Sequence, residues 1–152
     1  DLYLSGGVYL GGTAADNKLD DVETGTFTPN LLFGGAQVGN VYGARSGSYT
    51  KVGNVVTVWI YMYLTTKGTS TGQASVSGLP FAINNPKGVF SPMGDRGRVN
   101  TSGRGVSAYI SGGSGFPLYS GGFNGSLNSQ VNQGSFQNAS EVDMVATYVT
   151  NS

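Results

Sequence analysis

Residues 55–65 read VVTVWIYMYLT. Runs of β-branched and aromatic residues are poor helix formers and fit a pleated strand. Alternate side chains of a strand point to opposite faces. One face is therefore Val56, Val58, Ile60, Met62 and Leu64, and the other Val55, Thr57, Trp59, Tyr61 and Tyr63. At about 3.3 Å per residue the ribbon spans about 35 Å. Both faces are apolar enough to require cover. One is expected to meet the domain's own core; the other needs another sheet, another subunit or a ligand. Trp59, Tyr61 and Tyr63 are assigned an interior or inter-subunit role in preference to that of a sugar platform.

Upstream of this ribbon, Gly53-Asn54 gives a tight turn of the hairpin type and SYTKV (48–52) a partner strand. Further upstream, TFTPNLLF (26–33) reads as a strand in which Pro29 marks an edge or a bulge, and the Gly-rich 34–47 as a loop. Downstream, strands are expected at 73–77, 88–93, 105–111, 116–120 and 141–149. Residues 121–138 form a long Gly/Asn/Ser/Gln loop region, of a length that is often functional. No convincing amphipathic helix of ten or more residues is present. Short strands broken by Gly, Asn and Pro predict an all-β fold, an antiparallel, jelly-roll-like β-sandwich.

The N-terminus differs in character. DLYLSGGVYLGG (1–12) is a short quasi-repeat too small to bury its own apolar face, and is expected to pair with something outside itself, such as another chain. TAADNKLDDVETG (13–25) is polar and turn-like. The expected organisation is a connecting segment at 1–25 and one β-domain at 26–152. The chain starts at Asp1 without an initiator Met or signal peptide, and is expected to continue a longer protein on its N-terminal side.

Composition narrows the function. The 152 residues carry zero formal net charge, 38% hydrophobic residues and only 11% charged ones, a folded rather than a disordered balance. There is no cysteine and no histidine, which removes thiolate chemistry, disulfides and the commonest general base and metal ligand. No run of 18 apolar residues exists to cross a bilayer as a helix, so membrane insertion is not expected. From Thr26 onward, seven basic residues face three acids (Asp95, Glu141 and Asp143), too thin and scattered a surplus for nucleic acid.

Three segments, in order, resemble one family. LDDVETGTFTP (19–29) is similar to an LDDYEEGTWTP signature, SGSYTKVGNVVTVW (46–59) to a G-x-Y-T-K-I-G-N-x-V-x-V segment, and VSGLPF (76–81) to I-S-G-L-P-F. The signatures they resemble are those of the C-terminal domain of bacteriophage tail fibres and tailspikes. The closing EVDMVATYVT (141–150) resembles that domain's final strand more loosely, and the likeness does not extend to 82–140. Departures are Val22 where an aromatic is usual and Phe27 where Trp is usual. The resemblance implies a β-sandwich, a homotrimer, a place at the distal, extracellular end of a virion fibre whose remainder lies on the N-terminal side, and contact with host surface polysaccharide or lipopolysaccharide.

The residues themselves supply no catalytic set. Glu141 and Asp143 share a strand face about 7 Å apart, tolerable for a glycosidase pair, but read more simply as a solvent-facing rim. DNKLDD (16–21) lacks the spacing and glycine of a calcium loop. No metal, cofactor or enzymatic activity is expected. Lys51 reads as a surface lysine, and Leu79 and Phe81 as core anchors of a rigid turn. Carbohydrate recognition stacks a ring's C–H face on an aromatic plane and ties its hydroxyls to polar side chains. Residues of these types assigned to loops are the glycan-binding candidates: Tyr42, Arg45, Arg96, Arg98, Asn100, Arg104, Tyr109, Phe116, Tyr119, Phe123, Asn124 and Asn128. A trimer would add avidity to weak individual sites. The competing expectation is a trimerisation and folding cap for a fibre whose receptor site or depolymerase lies elsewhere.

Overall fold

A computed structural model describes residues 7–9, 11, 18–19, 22–84, 88–96, 98–121 and 129–151. Among them are twelve strands: β1 Val8–Tyr9, β2 Lys18–Leu19, β3 Val22–Phe27, β4 Asn30–Phe33, β5 Val41–Val52, β6 Val55–Thr66, β7 Ala74–Ser77, β8 Val89–Gly94, β9 Gly105–Ile110, β10 Gly115–Gly121, β11 Ser129–Gln130 and β12 Glu141–Val149. The one helical element described is a 3-10 turn at Gln133–Ser135. The fold is all-β and antiparallel, as the sequence pattern predicts.

The β5–β6 hairpin turns at Gly53, whose φ of +57° suits glycine, and pairs Val52 with Val55 through to Val41 with Thr66. β12 lies along the other side of β6 for its whole length. The ten-stranded sheet runs β3-β5-β6-β12-β8-β9-β10-β7-β4, with β11 added to β10. Its two end strands, β3 and β4, are neighbours in sequence, joined only by Thr28-Pro29. Three peptide steps reach about 11 Å at most, so the sheet has to curl until its ends approach, and it forms a half-barrel. β12 and β8 share only the pairs Asp143↔Gly94 and Met144↔Met93. Beyond them the Ser91 hydroxyl donates to the Val145 carbonyl at 2.6 Å and spans the opening.

The curl encloses one core. Phe33, Phe116 and Tyr148 are its largest fully buried side chains, beside Leu31, Ile60 and Leu118. Phe116 on β10 meets Tyr148 on β12 edge-to-face at 5.9 Å, a contact between strands that are not paired. Each such side chain contributes roughly 1.5–3 kcal/mol by leaving water. The free edge of β4 is capped by side chains: the Leu31 N–H donates to the Tyr42 hydroxyl at 2.9 Å, and Asn40 Nδ2 to the Leu31 carbonyl at 3.0 Å. An edge covered in this way is a poor template for stray strands.

The three motif segments meet on the inner face. Phe27 lies over Gly47 and Tyr49 over Gly25, where an added Cβ would stand 2.6 and 2.7 Å from the respective rings. Tyr49 packs edge-to-face on Phe81 at 5.3 Å. Gly78, at φ +80°, leaves so little room that a Cβ would sit 2.6 Å from the Thr28 carbonyl. Leu79 and Phe81 pack against the core, as expected.

Several local readings need correction. The stretch 26–33 is two strands, because Pro29 has no N–H to offer a ladder. β5 begins at Val41, inside the stretch taken for a loop, and β3 at Val22, inside the stretch taken for a linker. Val8–Tyr9 pairs with Lys18–Leu19 of the same chain. Lys51 is buried rather than on the surface: its Nζ is 3.0 Å from Glu23 Oε1 and 5.6 Å from the Phe81 ring centre.

Candidate functional site

Cross-strand partners share a face, so the registers of β3, β5, β6 and β12 write out the sheet's outer surface row by row. Val22, Val52, Val55 and Val149 form the first row, and Thr24, Thr50, Thr57 and Thr147 the second. The Thr57 and Thr147 hydroxyls are 3.1 Å apart. The third row is Thr26, Ser48, Trp59 and Val145; the fourth is Ser46, Tyr61, Asp143 and Gly94. Ala44, Tyr63 and Glu141 complete the face. Its large apolar groups stand in solvent, Val55 at 43% and Trp59 at 46% exposure.

The third and fourth rows juxtapose short side chains (Thr26, Ser46 and Ser48) with tall ones (Trp59 and Tyr61). The step in height makes a groove of about 250 Å³ with Asp143 on its rim. Next to it lies a charged cluster. Glu141 is only 2% exposed, with Arg96 Nε 3.4 Å from Oε1 and Arg98 Nε 3.7 Å from Oε2. Glu141 Oε1 has no hydrogen-bond partner among the described residues. The Arg98 guanidinium stands 5.7 Å from the Tyr63 ring centre, and its Nη1 donates to the Ala139 carbonyl at 3.4 Å. A hydrogen bond to Glu141 raises the pKa of the Tyr61 phenol, with desolvation and the negative charge of Glu141 adding to it and the two arginines opposing. Arg96 reaches Glu141 from a left-handed backbone, φ 48°, disfavoured by about 1–2 kcal/mol for an L side chain.

The structure sorts the sequence candidates by environment. Phe116 is 0% exposed and belongs to the core; as a glycan contact it is ruled out, because β10 turns it inward. Tyr42 and Arg45 are tied to the β4 edge: Arg45 stacks on the Tyr42 ring at 4.5 Å, and its Nη1 donates to Asn30 Oδ1 at 2.5 Å. Asn100 accepts from the Ser102 N–H at 3.3 Å in a local turn, and Arg104 is exposed after it. Tyr109 and Tyr119 come together on the outer face of β9 and β10, 5.9 Å apart, with exposed Phe90 against both at 4.9 and 6.0 Å. Phe123, Asn124 and Asn128 lie outside the described residues. Trp59, Tyr61 and Tyr63 face outward, so the core alternative for them falls. Glu141 is no solvent-facing rim residue, because two guanidinium groups cover it.

Sequence reasoning missed Ser46, Ser48, Thr26 and Phe90. The first two lay in or beside the supposed loop. The i, i+2 spacing of Ser46, Ser48, Thr50 and Val52 was the signal for a strand face. Searched against protein-family models and against curated proteins, the chain matches none.

Proposed function

We propose that this chain is the distal module of a phage tail fibre or tailspike, assembled as a homotrimer and adsorbing to host-surface polysaccharide or lipopolysaccharide. The observation that carries the reading is the outer face of β3, β5, β6 and β12. Its valine row has the composition of a sheet interior, yet no layer of the described chain covers it, and Trp59 and Val145 stand exposed two rows away. An exposed, contiguous apolar patch of this kind marks an interaction surface. In this reading the half-barrel is a two-leaved, jelly-roll-like sandwich, and the valine rows of three copies form the seam. The mutual packing of the segments 19–29, 46–59 and 76–81 supports the family likeness, since the glycines in them make room for the aromatic residues.

Glycan contact then falls to the exposed aromatic surface: Tyr109 and Tyr119 with Phe90, and the ground beside Trp59. The test has two measurements. Sedimentation at micromolar dilution should give a particle three times the 15.7 kDa chain, and that particle should adsorb to cells or surface polysaccharide of its host. A stable single-chain particle that adsorbs to no cell or polysaccharide overturns the proposal.

One observation favours the second reading, a trimerisation and folding cap. Tyr42, Arg45, Asn100 and Phe116 are all engaged within the scaffold, which leaves fewer groups for a ligand. In that case replacing Tyr109 and Tyr119 leaves adsorption intact, while charges placed in the valine row abolish assembly.

A further inference from the structure

The groove beside Trp59 differs chemically from the valine rows on the same face. Rows on one strand face are about 7 Å apart, so the groove lies some two rows, about 14 Å, from Val55. Its lining is mixed: an indole and a phenol wall, three hydroxyls from Thr26, Ser46 and Ser48, and one carboxylate, Asp143. Asp143 makes no side-chain bond among the described residues. Its cross-strand neighbour on the far side is Gly94, which has no side chain to crowd it.

These features discriminate between occupants. A second copy of the chain seated through its own valine row would desolvate the carboxylate and the hydroxyls, at a cost that apolar contact does not offset. A purely apolar ligand fails for the same reason. An anionic ligand meets Asp143, the only ionised group in the lining. A neutral, polyhydroxylated ring fits every feature. Its C–H face covers the exposed indole, and its hydroxyls donate to the carboxylate and exchange hydrogen bonds with Ser and Thr. A volume of about 250 Å³ lies just under the range of drug-sized pockets, roughly 300 Å³ and upward, and suits one sugar ring of a longer polymer.

We propose that the groove between Trp59, Tyr61, Asp143 and the hydroxyls of Thr26, Ser46 and Ser48 binds one neutral sugar residue of a polysaccharide. It deepens the adsorption reading and rests on it only for the source of the sugar. Trp59 is the sole tryptophan, so the protein's indole fluorescence reports on this site alone.

The experiment titrates the full chain with methyl glycosides of glucose, galactose, mannose and N-acetylglucosamine, and with methyl glucuronide, following Trp59 emission. A saturable change with at least one neutral glycoside is expected, and the glucuronide should bind more weakly. Asp143→Asn should weaken the neutral sugar about tenfold or more, as loss of a charged hydrogen-bond acceptor does. Ser48→Val, which removes one hydroxyl and narrows the groove, should weaken the binding with the melting temperature retained. Silence with all four neutral glycosides overturns the site, and so does tighter binding of the glucuronide. A change of solution mass in Trp59→Ala overturns it as well, because Trp59 then belongs to the seam. If Asp143→Asn and Ser48→Val adsorb to host cells as the parent does, the groove is dismissed while the adsorption function stands. If the glycosides bind but no cell or polysaccharide is adsorbed, the groove stands and the fibre-tip reading falls.

Discussion

The two faces of β6 differ in composition as they do in fate: one is wholly aliphatic, and the other sets Val55 beside Thr57, Trp59, Tyr61 and Tyr63. Val56, Val58, Ile60, Met62 and Leu64 are buried almost completely, while Val55 and Trp59 on the other face stand in water. The aliphatic face is the one over which the chain places a second layer, and the mixed face is the one it leaves open. Inward, the curl brings β10, β7 and β4 over β6 and β12, so that Phe116 reaches Tyr148. Outward, no described element returns. The largest test of this contrast is Ile60→Ala, which should cost about 2–5 kcal/mol in chemical denaturation through lost burial and a residual cavity. A cost below about 1 kcal/mol would mean that the inner face is not the tightly packed one.

The phenols on the two faces extend the comparison to pH. Burial pushes Tyr148 up to about 12, and its donation to the Phe81 carbonyl at 3.1 Å only partly offsets this. The ordinary value is about 10. The neutral form is the one the fold favours, so its contribution to stability is whole below about pH 10 and is lost as pH rises towards 12. About 2–3 kcal/mol should disappear over that window, and Tyr148→Phe should remove that part of the alkaline slope. Tyr61, on the outer face, owes its raised pKa first to Glu141. In Glu141→Gln its phenol should titrate nearer the ordinary value, which NMR of labelled tyrosine can follow, while Tyr148 stays where it is.

A third test concerns the crossing that makes the sheet curl. Gly78 has a left-handed backbone pressed against the Thr28 carbonyl, so Gly78→Ala should destabilise by about 1–3 kcal/mol. The same change at Gly105, where the backbone is not left-handed and a Cβ meets nothing within 4 Å, should be close to neutral.

Legibility in the sequence followed side-chain size. β6, β12 and the Gly53-Asn54 turn announce themselves, since β-branched and aromatic alternation has one natural backbone. The first half of β5 did not, because its glycines looked like a loop. Gly47 and Gly43 are strand residues that leave room for taller neighbours across the ladder, Phe27 over one and Tyr63 and Thr65 over the other. That requirement belongs to residues far apart in the chain and is invisible in a local window. The candidate site was half legible for the same reason. Trp59, Tyr61 and Asp143 were each in view, but two of the three hydroxyls beside them, those of Ser46 and Ser48, lay in or next to the misread stretch. Phe116 and Tyr119 sit an odd number of residues apart on one strand, so strand parity alone could have separated a core residue from a surface one.

The smallest expected effect is also the one that best separates a bare protomer from an assembled one. Val55 and Val56 are chain neighbours on opposite faces, with identical side chains and 43% against 0% exposure. Val56→Thr buries a hydroxyl without a partner and should cost about 1–3 kcal/mol. Val55→Thr exchanges a methyl for a hydroxyl in solvent and should stay within about 0.5 kcal/mol if the protomer is alone. If copies meet on the valine row, the same mutant should melt below the parent by an amount that is largest where the parent is fully assembled and shrinks as the protein is diluted, because association stabilises the folded state by mass action. The concentration dependence of the Val55→Thr melt, compared with that of Val56→Thr, therefore tells whether the uncovered face of β6 is a surface or a seam.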